Sequence, residues 1–251
     1  MRRFVVSVIV LSLVFTLILS ATSPVSAARP TPPTVRQMSL EYYPAKGNPP
    51  SAGGSKVYDY YQLIGPMWDL GKYQSGVPYA ICTVGAPVGA EAEIISAFEA
   101  WDYVTSADLF DTPNHVEDSG TLGDLINQVS WEVMPEPMSG AIAVSWISYD
   151  DIDGNGVPST GDEMLEVDIM FNASLNWGID RDGEGKAYTL RQSYDIRSVA
   201  THEVGHMVGL DDLYAKAYSE LTMYGYSSRG ETKKISLEMG DINGTRALYG
   251  I

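Results

Sequence analysis

SYDIRSVATHEVGHMVGLDD (193–212) decides the reading of this chain. Residues 193–210 carry a helical pattern, with Ser193 or Asp195 placed to start a helix and Gly209 placed to end it. Within it stands His202-Glu203-Val204-Gly205-His206. Residues four apart on a helix project from one face, so His202 and His206 can hold one metal ion between them. Glu203, next to the first histidine, can reach a water on that metal and take its proton without itself being a ligand.

A catalytic zinc calls for a third protein ligand and an open fourth position. Gly209 lets the chain leave the helix with positive φ and turn back, and Asp212, three residues later, supplies a carboxylate oxygen. Asp211 is the adjacent competitor, and the spacing favours Asp212. A second arrangement would take a later glutamate, Glu220 or Glu231, as third ligand. The chain holds 3 histidines, and the remaining one, His115, sits in the loop-like DTPNHVEDSG as a surface residue.

H-E-x-x-H-x-x-G-x-x-D resembles the metzincin zinc peptidases, in the variant whose third ligand is Asp. SVATHEVGHMVGL is similar to the active-site helix of the matrixins within that group. LTMYGY (221–226) resembles their methionine turn, and DINGTRALYG (241–250) the end of their catalytic domain. The resemblance covers about residues 67–251. It implies an α/β (α+β) fold: a twisted five-stranded mixed sheet, mostly parallel, with three helices and the zinc site on the second long helix. It further implies that Met223 lies beneath the metal, that LEVDIMFNA (165–173) is the antiparallel edge strand along which substrate lies, and that Tyr226 either assists the transition state or walls the pocket. Two features depart from vertebrate-type matrixins. No cysteine precedes Cys82, which removes the basis for a cysteine latch, and the histidine count leaves no set for a second, structural zinc.

Elsewhere the patterns are ordinary. VPYAICTV (77–84), NQVSWEVM (127–134) and AIAVSWISY (141–149) read as strands. LEVDIMFNA alternates Leu165, Val167, Ile169 and Phe171 as a half-buried strand. GAEAEIISAFEAWDYVTS (89–106) places Ile94, Ala97, Phe98, Trp101 and Val104 on one helical face. The single cysteine, Cys82, reads as a small core residue.

At the N-terminus, two arginines, an apolar run and Val25-Ser26-Ala27 have the layout of a secretory leader cleaved after Ala27. Were it retained, the segment would be a membrane anchor with the protein facing outward. Residues 28–66, with RPTPPT and KGNPPSAGGS, read as a Pro/Gly-rich linker or prosegment. The 251 residues carry 32 acidic against 16 basic side chains, a formal net charge of -16. That balance argues against nucleic acid as a partner.

Surplus carboxylates and no disulfide framework suit calcium. Asp151, Asp153 and Asn155 occupy the first, third and fifth positions of a calcium loop, Gly156 the sixth and Asp162 the twelfth. Asp180-Arg181-Asp182-Gly183-Glu184 is a weaker acidic stretch. The expected protein is therefore a secreted, monomeric zinc endopeptidase acting on protein or peptide substrates, with calcium as a second ion. Its rival is a catalytically silent, calcium-braced extracellular surface or adhesion module, against which Glu203 speaks.

Overall fold

The computed structural model describes residues 34–45, 56–180 and 190–251. The leader at 1–27 and most of the acidic stretch 180–184 lie outside them.

Strands β1 (Thr34–Pro44), β2 (Ala80–Cys82), β3 (Asn114–Val116), β4 (Gln128–Glu132), β5 (Ala143–Asp151), β6 (Glu163–Asn172) and β9 (Tyr226–Ser227) form the main sheet in the order β3-β2-β4-β6-β5-β1-β9. Its β3-β2, β2-β4, β4-β6 and β1-β9 pairings are parallel, and β6-β5 and β5-β1 are antiparallel. A separate parallel pair joins β7 (Trp177–Gly178) to β8 (Tyr194–Asp195). Among the described residues three α-helices complete the fold: α1 (Ala90–Asp102), α2 (Ile196–Val208) and α3 (Met239–Tyr249). The mixed α/β architecture and three helices are as the sequence implies.

The sheet differs from a five-stranded one in two additions, β1 and β9. β1 lies within the stretch 28–66 read as a linker or prosegment, and its residues 34–44 form the longest strand of the sheet. Residues 57–64 are likewise bonded into the fold, through Val57 N–H to Ala217 O and Ile64 N–H to Gly209 O. The signal in TVRQMSLEYYP is diluted by Pro/Gly-rich sequence on either side, and β1 faces solvent enough to keep polar residues.

The edge-strand assignment of 165–173 is also corrected. β6 lies inside the sheet between β4 and β5, and it is buried on both faces rather than one. The second face carries Glu166 and Asp168, and Glu166 is roofed by the backbone N–H groups of Gly123, Asp124 and Leu125. Charged side chains there imitate the alternation of a strand with one wet face.

α1 buries Ile94, Ala97, Phe98 and Trp101, each large apolar side chain contributing about 1.5–3 kcal/mol on burial. Trp101 Nε1 donates to Thr201 O on α2 at 2.9 Å, which fixes the two helices in register. Twelve of the 13 residues of α2 are buried, so the helix carrying the HExxH residues is the central element of the core. Cys82 is buried and free.

Candidate metal centre

Asp195 Oδ1 accepts from Ser198 N–H at 2.8 Å and starts α2. Gly209, at φ 117°, ends it in the left-handed region. That turn has a direct consequence for the site, because the Leu210 carbonyl comes back over the helix end and meets His206 Nδ1 at 2.8 Å. His202 Nδ1 meets Thr222 O at 2.8 Å. A carbonyl only accepts, so both imidazoles carry their proton on Nδ1 and turn the Nε2 lone pair the other way.

Those lone pairs converge on Asp212. His202 Nε2 and His206 Nε2 lie 3.3 and 3.9 Å from Asp212 Oδ1. All three atoms are buried and lack a hydrogen-bond partner among the described residues. Asp212 Oδ2 is held by the Tyr214 hydroxyl at 2.9 Å. Burial pushes the His202 pKa down to about 4, keeping the ring neutral. Burial also opposes charge on Asp212, but the His202 contact and the nearby His206 outweigh it and bring the carboxyl down to about 2. A neutral imidazole and an ionised carboxylate are the protonation states in which such groups bind a divalent metal. Three unsatisfied donor atoms of this kind in a buried cluster fit zinc. Asp211, by contrast, is turned to Gln62 Nε2 at 2.7 Å.

Glu203 adjoins the cluster. Its Oε2 accepts from Ser145 Oγ on β5 at 2.7 Å, while Oε1 is buried without a partner. Burial pushes its pKa up to about 7, against the pull of His206 and the Ser145 bond. Met223 is buried beneath α2, and a Cβ built on Gly205 would lie 2.2 Å from Met223 Sδ. The turn at 221–226 is anchored by Asp241, which accepts from Thr222 N–H at 3.0 Å and Met223 N–H at 3.3 Å. Tyr226 packs edge-on against Tyr214 and Tyr224.

Glu220 is not in this cluster, being paired with Lys56 at 2.9 Å. Glu231 lies 3.9 Å from Lys234. His115 is 62% exposed and faces Glu91. Ser145, Tyr214 and Asp241 escape a sequence reading: each reaches the site from a different element, and none belongs to a spaced motif.

A second group joins Asp151, Asp153 and Asp162, whose carboxylate oxygens lie within 4.8 Å of one another. Asp151 Oδ2 is paired with Arg36, while Oδ1 is buried without a partner. Asp162 accepts from Ile152 N–H at 2.9 Å and Ser159 N–H at 2.8 Å. Asn155 donates to Asp153 Oδ2 at 2.6 Å and accepts from Val157 N–H.

The sequence model of the family described as Matrixin matches residues 148–250, a span that holds α2, the Met223 turn and α3. Over that span the chain is similar to the matrixins. Among relatives of this matrixin-like chain, "Metalloendoproteinase 1-MMP" of Arabidopsis thaliana is 35% identical over 82 residues, covering 33% of this chain and 21% of that protein. "Metalloendoproteinase 1" of Glycine max is 36% identical over 84 residues, covering 32% and 25%. "Hatching enzyme" of Paracentrotus lividus is 26% identical over 140 residues, covering 56% and 23%. The matrixin-like chain thus spans about a fifth to a quarter of the length of these relatives.

Proposed function

We propose that this chain is a secreted zinc-dependent endopeptidase that hydrolyses peptide bonds in proteins, with Glu203 as its general base. The observation that carries the proposal is the convergence of His202 Nε2, His206 Nε2 and Asp212 Oδ1, all buried and unsatisfied, beside an unsatisfied Glu203 Oε1. The metalloendoproteinase names of its relatives point the same way.

Zinc held by these three side chains supplies Lewis-acid polarisation and acidifies water. The rest is work for the chain. Leu210 O and Thr222 O orient the imidazoles. Tyr214 restrains the Asp212 carboxylate. Ser145 ties down Glu203 Oε2, which leaves Oε1 as the atom that receives a proton and later returns it to the leaving amine. The pKa near 7 that burial gives Glu203 suits both steps. Tyr226 is assigned to the pocket wall, where its ring rests on Tyr214.

Secretion rests on the leader-like residues 1–27. No helix among the described residues is long and apolar enough to cross a membrane. Calcium is assigned to the 151–162 loop, on the strength of its clustered carboxylates and the unsatisfied Asp151 Oδ1.

The test compares the parent chain with Glu203→Gln at equal zinc content on a library of unstructured peptides. One zinc per chain and a loss of about 10²–10⁴-fold or more in the variant agree with the proposal. A variant that cleaves at the parent rate refutes it and returns the chain to the silent calcium-braced module.

A further inference from the structure

As a third ligand, an aspartate differs from a histidine in one respect: its carboxylate carries two oxygens, and one or both can bind a divalent ion. A catalytic metal with three protein ligands needs its fourth position open, and the second oxygen of Asp212 is able to fill it. The two oxygens are not equivalent in this fold. Oδ1 faces His202 Nε2 and His206 Nε2 and has no hydrogen-bond partner among the described residues. Oδ2 accepts from the Tyr214 hydroxyl at 2.9 Å. A hydroxyl so placed engages Oδ2 and resists the rotation that would turn it toward the metal group.

The contact between Tyr214 and Asp212 is built from several directions. Residues 212–214 are laid against the methionine turn through Leu213 N–H to Met223 O at 2.8 Å and Gly225 N–H to Leu213 O at 3.1 Å. Gly225 carries no side chain where the two groups meet. A Cβ there would lie 2.6 Å from Tyr214 Cε1 and 2.8 Å from Asp212 Oδ1, so a larger residue would push the ring off the carboxylate. Tyr226 meets the Tyr214 ring edge-on, with centroids 5.4 Å apart. Tyr214 is 56% exposed, whereas the Asp212 side chain is 1% exposed. Burial does not account for a tyrosine with more than half its surface in water; what it contributes inward is its hydroxyl.

We propose that Tyr214 is a positioning residue that limits Asp212 to one metal-binding oxygen, Oδ1, and so keeps a coordination position open for catalysis. The proposal rests on the peptidase reading above. His202 and His206 need no such partner, because each has its Nδ1 bonded to a carbonyl and only Nε2 left to offer. Losing the Tyr214 hydroxyl therefore leaves every ligand in place and frees one more. Losing a partner that merely steadies a ligand has the opposite sign, weakening metal binding about 10–100-fold.

Tyr214→Phe in the full chain, stripped of metal and reloaded, tests this by three readouts. The zinc Kd, measured by competition with a chromophoric chelator, should be no higher than that of the parent. With cobalt(II) in place of zinc, the parent should give the intense visible bands of a four-coordinate ion and the variant the weaker bands of a five-coordinate one. The kcat on fluorogenic peptides should fall about 10–100-fold. A raised zinc Kd, identical cobalt spectra or an unchanged kcat overturns the proposal while leaving the peptidase reading intact. If Tyr214→Phe does not fold, the cobalt spectrum of the parent decides alone, four-coordinate bands supporting the proposal and five-coordinate bands refuting it. A parent that binds zinc but cleaves no peptide defeats the peptidase reading, and the catalytic half of this proposal with it.

Discussion

Ser145, on the strand beside β1, donates its hydroxyl to Glu203 Oε2 at 2.7 Å. The sheet thereby sets the orientation of a carboxylate borne by the helix. Ser145→Ala should keep zinc and fold while lowering kcat by about ten- to a hundredfold, the usual cost of losing an orienting partner at a metal site. The Ser145 bond also favours the ionised carboxylate. Without it the Glu203 pKa rises, and because the base must be ionised, the acid limb of the kcat/KM profile should move to higher pH. An unmoved limb would show that Ser145 does not act through Glu203.

Asp212→Ala should release the zinc, since it removes the one carboxylate facing both Nε2 atoms. Glu220→Ala and Glu231→Ala should retain it, their side chains being directed to Lys56 and Lys234. Metal content by atomic absorption after exhaustive dialysis distinguishes these cases. Full zinc in Asp212→Ala would reassign the third ligand.

Gly205→Ala places a methyl group 2.2 Å from Met223 Sδ and 2.8 Å from Trp101 Cζ2. Overpacking of this kind costs about 1–3 kcal/mol, and each kcal/mol lowers Tm by about 2–4 °C in a chain of this size. A thermal melt of the zinc-loaded protein measures it, and an unchanged Tm would mean that the Met223 turn yields readily.

Asp168 has a raised pKa, chiefly through burial and then through the hydrogen bond and charge of Glu166. The folded chain therefore keeps a proton that the unfolded chain releases above the ordinary carboxylate range. Stability from this group is complete at acid pH and declines as pH rises toward the raised value. Asp168→Asn removes that titration. The Tm of the parent should fall more steeply than that of the variant between about pH 5 and pH 8, and parallel curves would contradict the assignment.

Calcium should raise the Tm of the parent while zinc is held constant. Binding contributes about 2.7 kcal/mol at a hundredfold excess over Kd. Asp151→Ala/Asp153→Ala should abolish the response, since it removes two of the three clustered carboxylates. A parent melt indifferent to calcium would return the loop to a solvated turn, with Arg36 alone balancing Asp151.

The elements legible in the sequence were those governed by local rules. The spacing of His202, His206, Gly209 and Asp212 is helical geometry followed by one positive-φ turn, and α2 runs from its Asp195 cap to Gly209 as that pattern requires. Burial periodicity likewise located α1 and the strands β4, β5 and β6. Tertiary structure alone decided what lies next to what. Glu203 meets Ser145 across 58 residues, Tyr42 meets Lys234 across 192, and Arg36 meets Asp151 across 115. No periodicity carries such pairings, because they are set by which strand edges remain open once the core has closed. Thr34–Pro44 shows this most clearly: between Pro- and Gly-rich flanks it has a weak local signal, and its place in the sheet follows from the edges that β5 and β9 offer it.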